Sequence, residues 1–142
     1  MRQKEWKSTG SSVYSHWYHI VWSIKYRKKV LLNRIDETAK KLFADICDKH
    51  GYELAEQEVM PDHIHLFVSI PPAESVATAV KKLKGASARL LFLAHPEIKN
   101  RLWGGHLSNP SYYSGTAGNV SAETIKRYIE SQKQNADTDD KS

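Results

Sequence analysis

The sequence is poor in cysteine, since Cys47 is the only one in 142 residues. An internal disulfide is therefore excluded. The stretch 1–12 is polar and basic and has no apolar core, so it does not resemble a secretory signal. Together these two features favour a reducing, cytoplasmic location. No run of about 18 apolar residues exists, so we expect neither a membrane-spanning helix nor a membrane partner.

Acidic residues are also scarce, at 16 against 21 basic residues, which gives a net charge of +5. A basic surplus favours polyanionic partners. The surplus is concentrated at 25–29 and 81–101, and the four Trp and seven Tyr residues would suit single-stranded nucleic acid, whose bases stack on aromatic rings. The same residues also suit a packed core and a solvated helix face, and composition does not separate these readings.

A period-two pattern runs from Met60 to Ile70 and predicts a β-strand with one apolar face. His63 and His65 lie together on the opposite face, about 7 Å apart at their Cα atoms. Two imidazoles at that separation can converge on one metal ion. A His-x-His pair on a strand can also face water or stack on a helix, so the strand alone leaves both readings open.

Apolar periodicity and turn residues predict a chain of alternating strands and helices. We expect a strand over 14–25, a helix from its cap Asn33 to Gly51, a strand over 52–59, a turn at Pro61 and Asp62, the histidine strand, a helix from Ser75 to about Leu93, a turn at 103–105, a strand over 111–116, and a helix from Ser121 to about Gln134. This order predicts an α+β fold of the ferredoxin-like, split βαβ type, with a central antiparallel sheet and a C-terminal tyrosine-bearing helix. The first and third strands, including the histidine strand, would be central. We expect a flexible arm at 1–12, one domain at 13–134 and a disordered tail at 135–142.

The last predicted helix carries Tyr128 and Gln132 at i and i+4, so both side chains share one face. A tyrosine hydroxyl, with a usual pKa of about 10, can act as a nucleophile. A glutamine carbonyl is a neutral metal ligand. Taken alone, Tyr128 is better explained as a packed or surface tyrosine, because tyrosines are common in helices. Tyr112 and Tyr113 are rival nucleophiles, but neither has a ligand four residues on in a helix.

Several motifs occur together in a fixed order. They are Tyr-His-Ile-Val-Trp at 18–22, Lys-Tyr-Arg-Lys-Lys-Val-Leu at 25–31, Met-Pro-Asp-His-Ile-His at 60–65, Lys-Gly-Ala-Ser-Ala-Arg at 84–89, Leu-Trp-Gly-Gly at 102–105 and Tyr-Ile-Glu-Ser-Gln at 128–132. Over residues 13–134 this series resembles the single-tyrosine HUH transposases, the TnpA-type enzymes of small bacterial and archaeal insertion sequences. The predicted domain is then an HUH transposase domain.

This resemblance implies a transposase that cleaves and rejoins single-stranded DNA at hairpin-marked element ends, through a 5′-phosphotyrosine and without ATP. It implies that Tyr128 is the nucleophile and that His63, His65 and Gln132 bind Mg²⁺ or Mn²⁺. It also implies a homodimer in which the tyrosine helix of one subunit can complete the site of the other. Residues that we predict to contact DNA phosphates are Lys25, Arg27, Lys84 and Arg89.

Two alternatives remain open from the sequence. One is a domesticated relative that nicks hairpins without mobilising an element. The other is a ferredoxin-like module that binds single-stranded DNA or RNA and catalyses nothing. Such a module would stack bases on its sheet aromatics and would have no need of His63, His65 and Gln132 together.

Overall fold

The computed structural model describes residues 7–9, 12–14, 17–102, 105–116 and 122–141. In chain order its strands and helices are β1 (Lys7–Thr9), β2 (Ser12–Tyr14), β3 (Trp17–Ser23), α1 (Ile35–His50), β4 (Glu53–Met60), β5 (His63–Ser69), α2 (Val76–Ala94), β6 (Tyr113–Thr116) and α3 (Ala122–Lys141). Short 3₁₀ turns occupy Lys25–Arg27 and Pro96–Arg101.

A four-stranded sheet with the order β4-β5-β3-β6 lies at the centre of the described residues. All three strand pairs are antiparallel. Only Pro61 and Asp62 separate β4 from β5, and so short a connection produces a hairpin. The sheet and its helices form the predicted α+β, ferredoxin-like arrangement, and the histidine strand β5 is central, as expected.

The two faces of the sheet differ because side chains alternate along each strand. One face packs under α1 and α2, where the Trp22 ring meets the edge of Phe43 at 5.6 Å between centroids. Strand residues in this core are Ile20, Trp22, Val59, Ile64, Leu66 and Val68. The other face carries the histidines of β5, and α3 packs near it against β3 and the turn at Lys25–Arg27.

Helix α2 begins as predicted, because the Ser75 hydroxyl accepts a hydrogen bond from the Thr78 amide at 3.1 Å. The predicted start of α1 is wrong. Asn33 and Arg34 have φ values of 53° and 82°, and the helix begins at Ile35. A side-chain cap needs an extended backbone, whereas Asn33 lies in the left-handed region that asparagine tolerates better than most residues.

The N-terminal part of the chain differs from the sequence prediction. Within the predicted arm, Lys7–Thr9 pairs with Ser12–Tyr14 in a small antiparallel sheet. Tyr14, where the strand predicted over 14–25 begins, belongs to β2 and pairs with Lys7, and β3 covers Trp17–Ser23. Residues 1–6, 10–11 and 15–16 lie outside the described part, and the flexibility of the arm stays a prediction.

The C-terminal helix also differs from the prediction. Helix α3 continues to Lys141, where we expected a disordered tail from residue 135. No glycine or proline occurs between 122 and 141 to end the helix. The predicted cap Ser121 and the turn residues 103 and 104 lie outside the described residues, and the domain boundaries stay predictions. None of the described helices is long and apolar enough to span a membrane.

Candidate active site

His63 is the first residue of β5, and its imidazole is held by a carboxylate. The His63 Nδ1 atom lies 2.9 Å from Asp62 Oδ1. Asp62 Oδ2 in turn accepts hydrogen bonds from Arg27 Nε at 3.0 Å and Nη2 at 2.5 Å. Burial raises the pKa of the Asp62 carboxyl, but His63 and Arg27 outweigh it and hold that pKa below its usual value. When Nδ1–H donates to a carboxylate, the lone pair of Nε2 can bind a metal ion, which is the usual arrangement of a metal-binding histidine.

His65 makes contacts at both ring nitrogens. Its Nδ1 lies 3.1 Å from Glu58 Oε1, and its Nε2 lies 2.9 Å from His19 Nδ1. Because an ionised carboxylate only accepts, His65 Nδ1 donates to Glu58, and in the neutral His65 ring Nε2 is then the acceptor for the His19 Nδ1–H. Burial lowers the pKa of His19 and His65 lowers it further, while Glu56 opposes both. His19 also stacks on Phe67, with ring centroids 4.5 Å apart.

A cavity of about 460 Å³ opens beside His65. Its walls are Glu56, Gln57, Glu58, His65 and Phe67. The volume is in the usual range for sites that bind small groups. Its two glutamates, Glu56 and Glu58, would favour a cation near His65 over a phosphate group.

Tyr128 and Gln132 lie on one face of α3, as predicted, and the same short segment of chain holds both. Gln132 is 7% exposed, and its Oε1 accepts from Asn109 Nδ2 at 3.1 Å and from Ser111 Oγ at 3.2 Å. The Tyr128 hydroxyl lies 3.1 Å from the same Ser111 Oγ. We call residues 109–111 the docking segment, because it joins α3 to the sheet.

The docking segment also reaches the strand beside the histidines. Asn109 Nδ2 donates to Ser23 Oγ at 2.7 Å, and the backbone amide of Asn109 donates to the backbone carbonyl of Ser23 at 3.0 Å. Ser23 pairs with His63 across β3 and β5. The structure therefore connects Gln132 through Asn109 to the end of the sheet at which His63 lies.

The environment of Tyr128 separates it from the rival tyrosines. Burial raises the pKa of the Tyr128 phenol, and the Ser111 hydroxyl opposes this. The phenol is therefore protonated near neutral pH. Tyr113 packs on Tyr128, with ring centroids 6.1 Å apart. Tyr112 packs against the hydrophobic core on the other face of the sheet.

Among the four residues predicted to contact DNA phosphates, Arg27 and Lys84 use their charged side-chain groups in hydrogen bonds within the chain. Arg27 binds Asp62, and its Nη1 donates to the Ile129 carbonyl of α3 at 3.0 Å. Lys84 Nζ donates to the Asn109 carbonyl at 2.6 Å and to the Ser111 carbonyl at 3.3 Å. The other two are Lys25, whose Nζ lies 5.5 Å from the centre of the Tyr26 ring, and Arg89, which is exposed on α2.

Sequence reasoning missed the residues that position the predicted ones. Asp62 belongs to the motif at 60–65, and the usual need of a metal-binding histidine for a carboxylate could have identified it. His19 belongs to the motif at 18–22, but its contact with His65 depends on the strand register. Asn109 and Ser111 lie in irregular chain, and no spacing in the sequence identifies them.

The predicted metal ligands fit a divalent cation in the kind of atom that they offer. Both imidazoles are held at Nδ1 by carboxylates, and Gln132 offers an amide oxygen. His65 Nε2 now accepts from His19, and Gln132 Oε1 from Asn109 and Ser111, so metal binding would replace some of these hydrogen bonds. No three His, Cys, Asp or Glu residues of the described chain are grouped to hold a metal, and the predicted set relies on Gln132 as its third ligand.

The sequence is similar to known transposases over most of its length. It matches the family of IS200-like transposases over residues 12–132. It is 44% identical to the ISDra2 transposase TnpA of Deinococcus radiodurans over 128 residues, which cover 90% of this chain and 91% of that protein. It is 30% identical to the transposase for insertion sequence element IS200 of Salmonella typhimurium over 115 residues, covering 81% of this chain and 75% of that protein.

The fold is similar to solved structures. A crystal structure of a candidate transposase from Deinococcus radiodurans superposes with a TM-score of 0.81 at 43% identity, covering 89% of this chain and 97% of that one. A REP-associated tyrosine transposase bound to a REP hairpin has a TM-score of 0.54 at 10% identity, covering 80% and 62%, and shows likeness of fold alone. Because the family match runs from β2 to Gln132, and a relative shares 44% of the aligned residues, this chain belongs to the family of IS200-like transposases.

Proposed function

We propose that the chain is a metal-dependent transposase that cleaves and rejoins single-stranded DNA, with Tyr128 as its nucleophile and no need for ATP. Membership of the transposase family supports a DNA-cleaving enzyme. The observation that carries the finer proposal is the placement of Tyr128 and Gln132 on one face of α3, connected through Asn109 and Ser23 to the end of the sheet that carries His63.

In this reaction the Tyr128 phenol loses its proton and its oxygen attacks phosphorus. The bond from phosphorus to the 3′ oxygen breaks, and that oxygen takes up a proton. The products are a 5′-phosphotyrosine and a free 3′-hydroxyl. The phosphotyrosine ester keeps the energy of the broken bond, so a new 3′-hydroxyl can reverse the step onto other DNA. Mg²⁺ or Mn²⁺ held by His63, His65 and Gln132 would polarise the phosphodiester and stabilise its developing charge.

The proposed substrate is single-stranded DNA that folds into hairpins at the ends of an element. A REP-associated tyrosine transposase of similar fold has a solved structure bound to a REP hairpin, which supports this class of partner. The net charge of +5 favours a polyanion. We propose a homodimer as the working form, with Lys25 and Arg89 as candidate phosphate contacts, because the side chains of Arg27 and Lys84 bind groups within the chain. Mn²⁺ should serve at least as well as Mg²⁺, because imidazole is a softer ligand than Mg²⁺ prefers.

Formation of a covalent protein–DNA adduct tests the proposal. The protein is incubated with single-stranded hairpin oligonucleotides taken from the DNA that borders its gene, with Mg²⁺ or Mn²⁺, and then denatured. We expect an adduct with wild type and none with Tyr128→Phe, since the phenol oxygen is the bond-forming atom. His63→Ala should also abolish the adduct. Tyr113→Phe is the matched control, because it removes a neighbouring hydroxyl and keeps the ring packing.

The same assay distinguishes the alternatives. An adduct that survives Tyr128→Phe and disappears with Tyr113→Phe would show that Tyr113, and not Tyr128, is the nucleophile. Hairpin binding by wild type without any adduct, under both metals, would favour the non-catalytic binding module. Circular dichroism of each variant checks that the fold is retained.

A further inference from the structure

Arg27 occupies a strained position between the two halves of the candidate site. It lies in the turn after β3, and both it and Tyr26 have positive φ values, of 49° and 60°. Neither residue is glycine, so the surrounding structure must hold this backbone in place. The Arg27 amide donates to the Ile24 carbonyl at 2.8 Å, and the Ile24 amide donates to the Asp62 carbonyl at 2.9 Å. The turn is thus attached to the residue that precedes His63.

The guanidinium of Arg27 uses all three of its nitrogens on two partners. Nε and Nη2 donate to Asp62 Oδ2, and Nη1 donates to the Ile129 carbonyl of α3 at 3.0 Å. The side chains of Arg27 and Asp62 are 16% and 11% exposed, so little water competes for these bonds. A planar guanidinium can span two acceptors in this way, whereas a lysine ammonium acts as a point charge.

The two partners of Arg27 belong to different parts of the site. Asp62 holds the Nδ1 atom of His63. Ile129 follows Tyr128 in α3. One side chain therefore contacts both the carboxylate that orients a candidate metal ligand and the backbone of the helix that carries the candidate nucleophile.

We propose that Arg27 is a positioning residue that couples the docking of α3 to the orientation of His63. When α3 is docked, its Ile129 carbonyl fixes the guanidinium, which fixes the Asp62 carboxylate and through it the His63 ring. When α3 is displaced, Arg27 loses one of its two partners and Asp62 is held less firmly. The proposal deepens the proposed function and rests on it only where the metal is concerned.

Three variants test the coupling. Arg27→Gln removes both contacts. Arg27→Lys keeps a charge for Asp62 but cannot also reach the Ile129 carbonyl. Arg101→Gln is the matched control, because Arg101 Nη1 donates to the Lys29 carbonyl at 3.0 Å, away from Asp62 and α3.

Two readouts are taken on the whole protein, and neither requires turnover. Amide hydrogen exchange of peptides from 122–132 in metal-free protein reports the docking of α3. Titration with Mn²⁺, followed by its electron paramagnetic resonance signal, reports the metal site. For Arg27→Gln we expect exchange in α3 about tenfold faster and Mn²⁺ affinity about tenfold weaker. For Arg27→Lys, which loses the α3 contact and holds Asp62 only through a point charge, we expect faster exchange and a smaller loss of Mn²⁺ affinity than in Arg27→Gln. Arg101→Gln should match wild type in both.

The outcomes separate coupling from simpler roles. If Arg27→Gln weakens DNA binding and leaves both α3 exchange and Mn²⁺ affinity unchanged, Arg27 is a phosphate contact and the proposal is wrong. If Mn²⁺ affinity falls while α3 stays protected, Arg27 supports Asp62 alone and the coupling is refuted. Should Arg27→Gln fail to fold, Arg27→Lys decides, because faster α3 exchange together with wild-type Mn²⁺ affinity would refute the coupling. Wild type that binds no Mn²⁺ would refute the proposed metal site, and the exchange data would still test the link to α3.

Discussion

At the scale of single residues, Ser111 has one hydroxyl proton and two neighbours that can accept it. Its Oγ lies 3.2 Å from Gln132 Oε1 and 3.1 Å from the Tyr128 oxygen. When the proton points to Gln132, Tyr128 must donate to Ser111 and keep its own proton. When it points to Tyr128, the phenolate is favoured. The direction of this one bond therefore affects how readily the proposed nucleophile ionises.

This arrangement predicts a change in the pH dependence of Ser111→Ala. Burial already raises the pKa of Tyr128, and loss of the Ser111 hydroxyl removes the contact that opposes it. A higher pKa means less phenolate at any pH below it, so adduct formation should be slower by about tenfold for each unit of the rise. Rates measured from about pH 6 to about pH 9 should increase with pH in both proteins, with the variant displaced to higher pH.

Ser114→Ala is the control for this prediction, because Ser114 is exposed on β6. The variant and the control should bind the hairpin oligonucleotide equally well. A pH profile of Ser111→Ala that overlies that of wild type would show that the hydroxyl does not influence the ionisation of Tyr128.

Some residue roles could be predicted from the sequence because they depend on local periodicity alone. Period two put His63 and His65 on one face, and helical spacing put Tyr128 and Gln132 on another. The contact between His19 and His65 could not be predicted, because it depends on the register of two strands that are far apart in the sequence. Arg27 was predicted to contact phosphate, and its internal bonds arise from a backbone turn that residue type does not indicate.

At the scale of elements, helix α2 supports the docking segment through Lys84. Its Nζ donates to the carbonyls of Asn109 and Ser111, the two residues that contact Gln132. Burial removes hydration from the Lys84 ammonium and so lowers its pKa, and these two carbonyls replace that hydration in part. Lys84 therefore connects the helices on the core face with the candidate site on the other face.

Replacement of Lys84 by methionine tests this role against the predicted phosphate contact. If Lys84 positions the docking segment, Lys84→Met should slow adduct formation by about tenfold, as expected for loss of charged hydrogen bonds, and leave the salt dependence of DNA binding unchanged. A phosphate contact would instead reduce the slope of log K against log salt by about 0.7. Binding is measured by fluorescence anisotropy at several salt concentrations.

Lys81→Met is the matched control, because Lys81 is exposed on the same helix and its replacement removes the same charge. A normal rate of adduct formation together with a reduced salt slope in Lys84→Met would contradict the supporting role. It would favour the contact between Lys84 and a DNA phosphate that the sequence predicted.

The elements of the sheet could be predicted because each follows from a local pattern. Alternation gave the strands, Ser75 and Gly51 marked ends of helices, and the two-residue turn at Pro61 and Asp62 required a hairpin. The docking segment could not be predicted, because residues 109–111 have no period and their path is set by contacts with Ser23, Lys84 and α3. For the same reason the start of α1 was placed too early, since the left-handed turn before it has no glycine to reveal it.

At the scale of the whole molecule, hydrogen bonds from the rest of the described chain attach α3 to the sheet. Arg27 contacts Ile129, Ser111 contacts Tyr128, and Asn109 contacts Gln132. In the proposed homodimer the equivalent helix of a second copy could make the same contacts, because the two chains are identical. Exchange of an element between identical chains costs little for this reason.

Mixing of inactive variants tests this exchange. Tyr128→Phe and His63→Ala are mixed under conditions that allow subunits to exchange, and adduct formation is measured with the hairpin oligonucleotide. If α3 completes the site of the other subunit, one site in each mixed dimer has both a normal phenol and a normal imidazole. We then expect about a quarter of the wild-type signal, since half of the dimers are mixed and each has one working site.

The control for the mixing experiment follows from the geometry of α3. Tyr128 and Gln132 lie on the same helix and move together, so a mixture of Tyr128→Phe with Gln132→Ala leaves every helix defective. That mixture should form no adduct whether or not the helices exchange. If the mixture of Tyr128→Phe and His63→Ala is equally inactive, although mixed dimers are present by mass spectrometry, each site uses its own helix and the exchange is excluded.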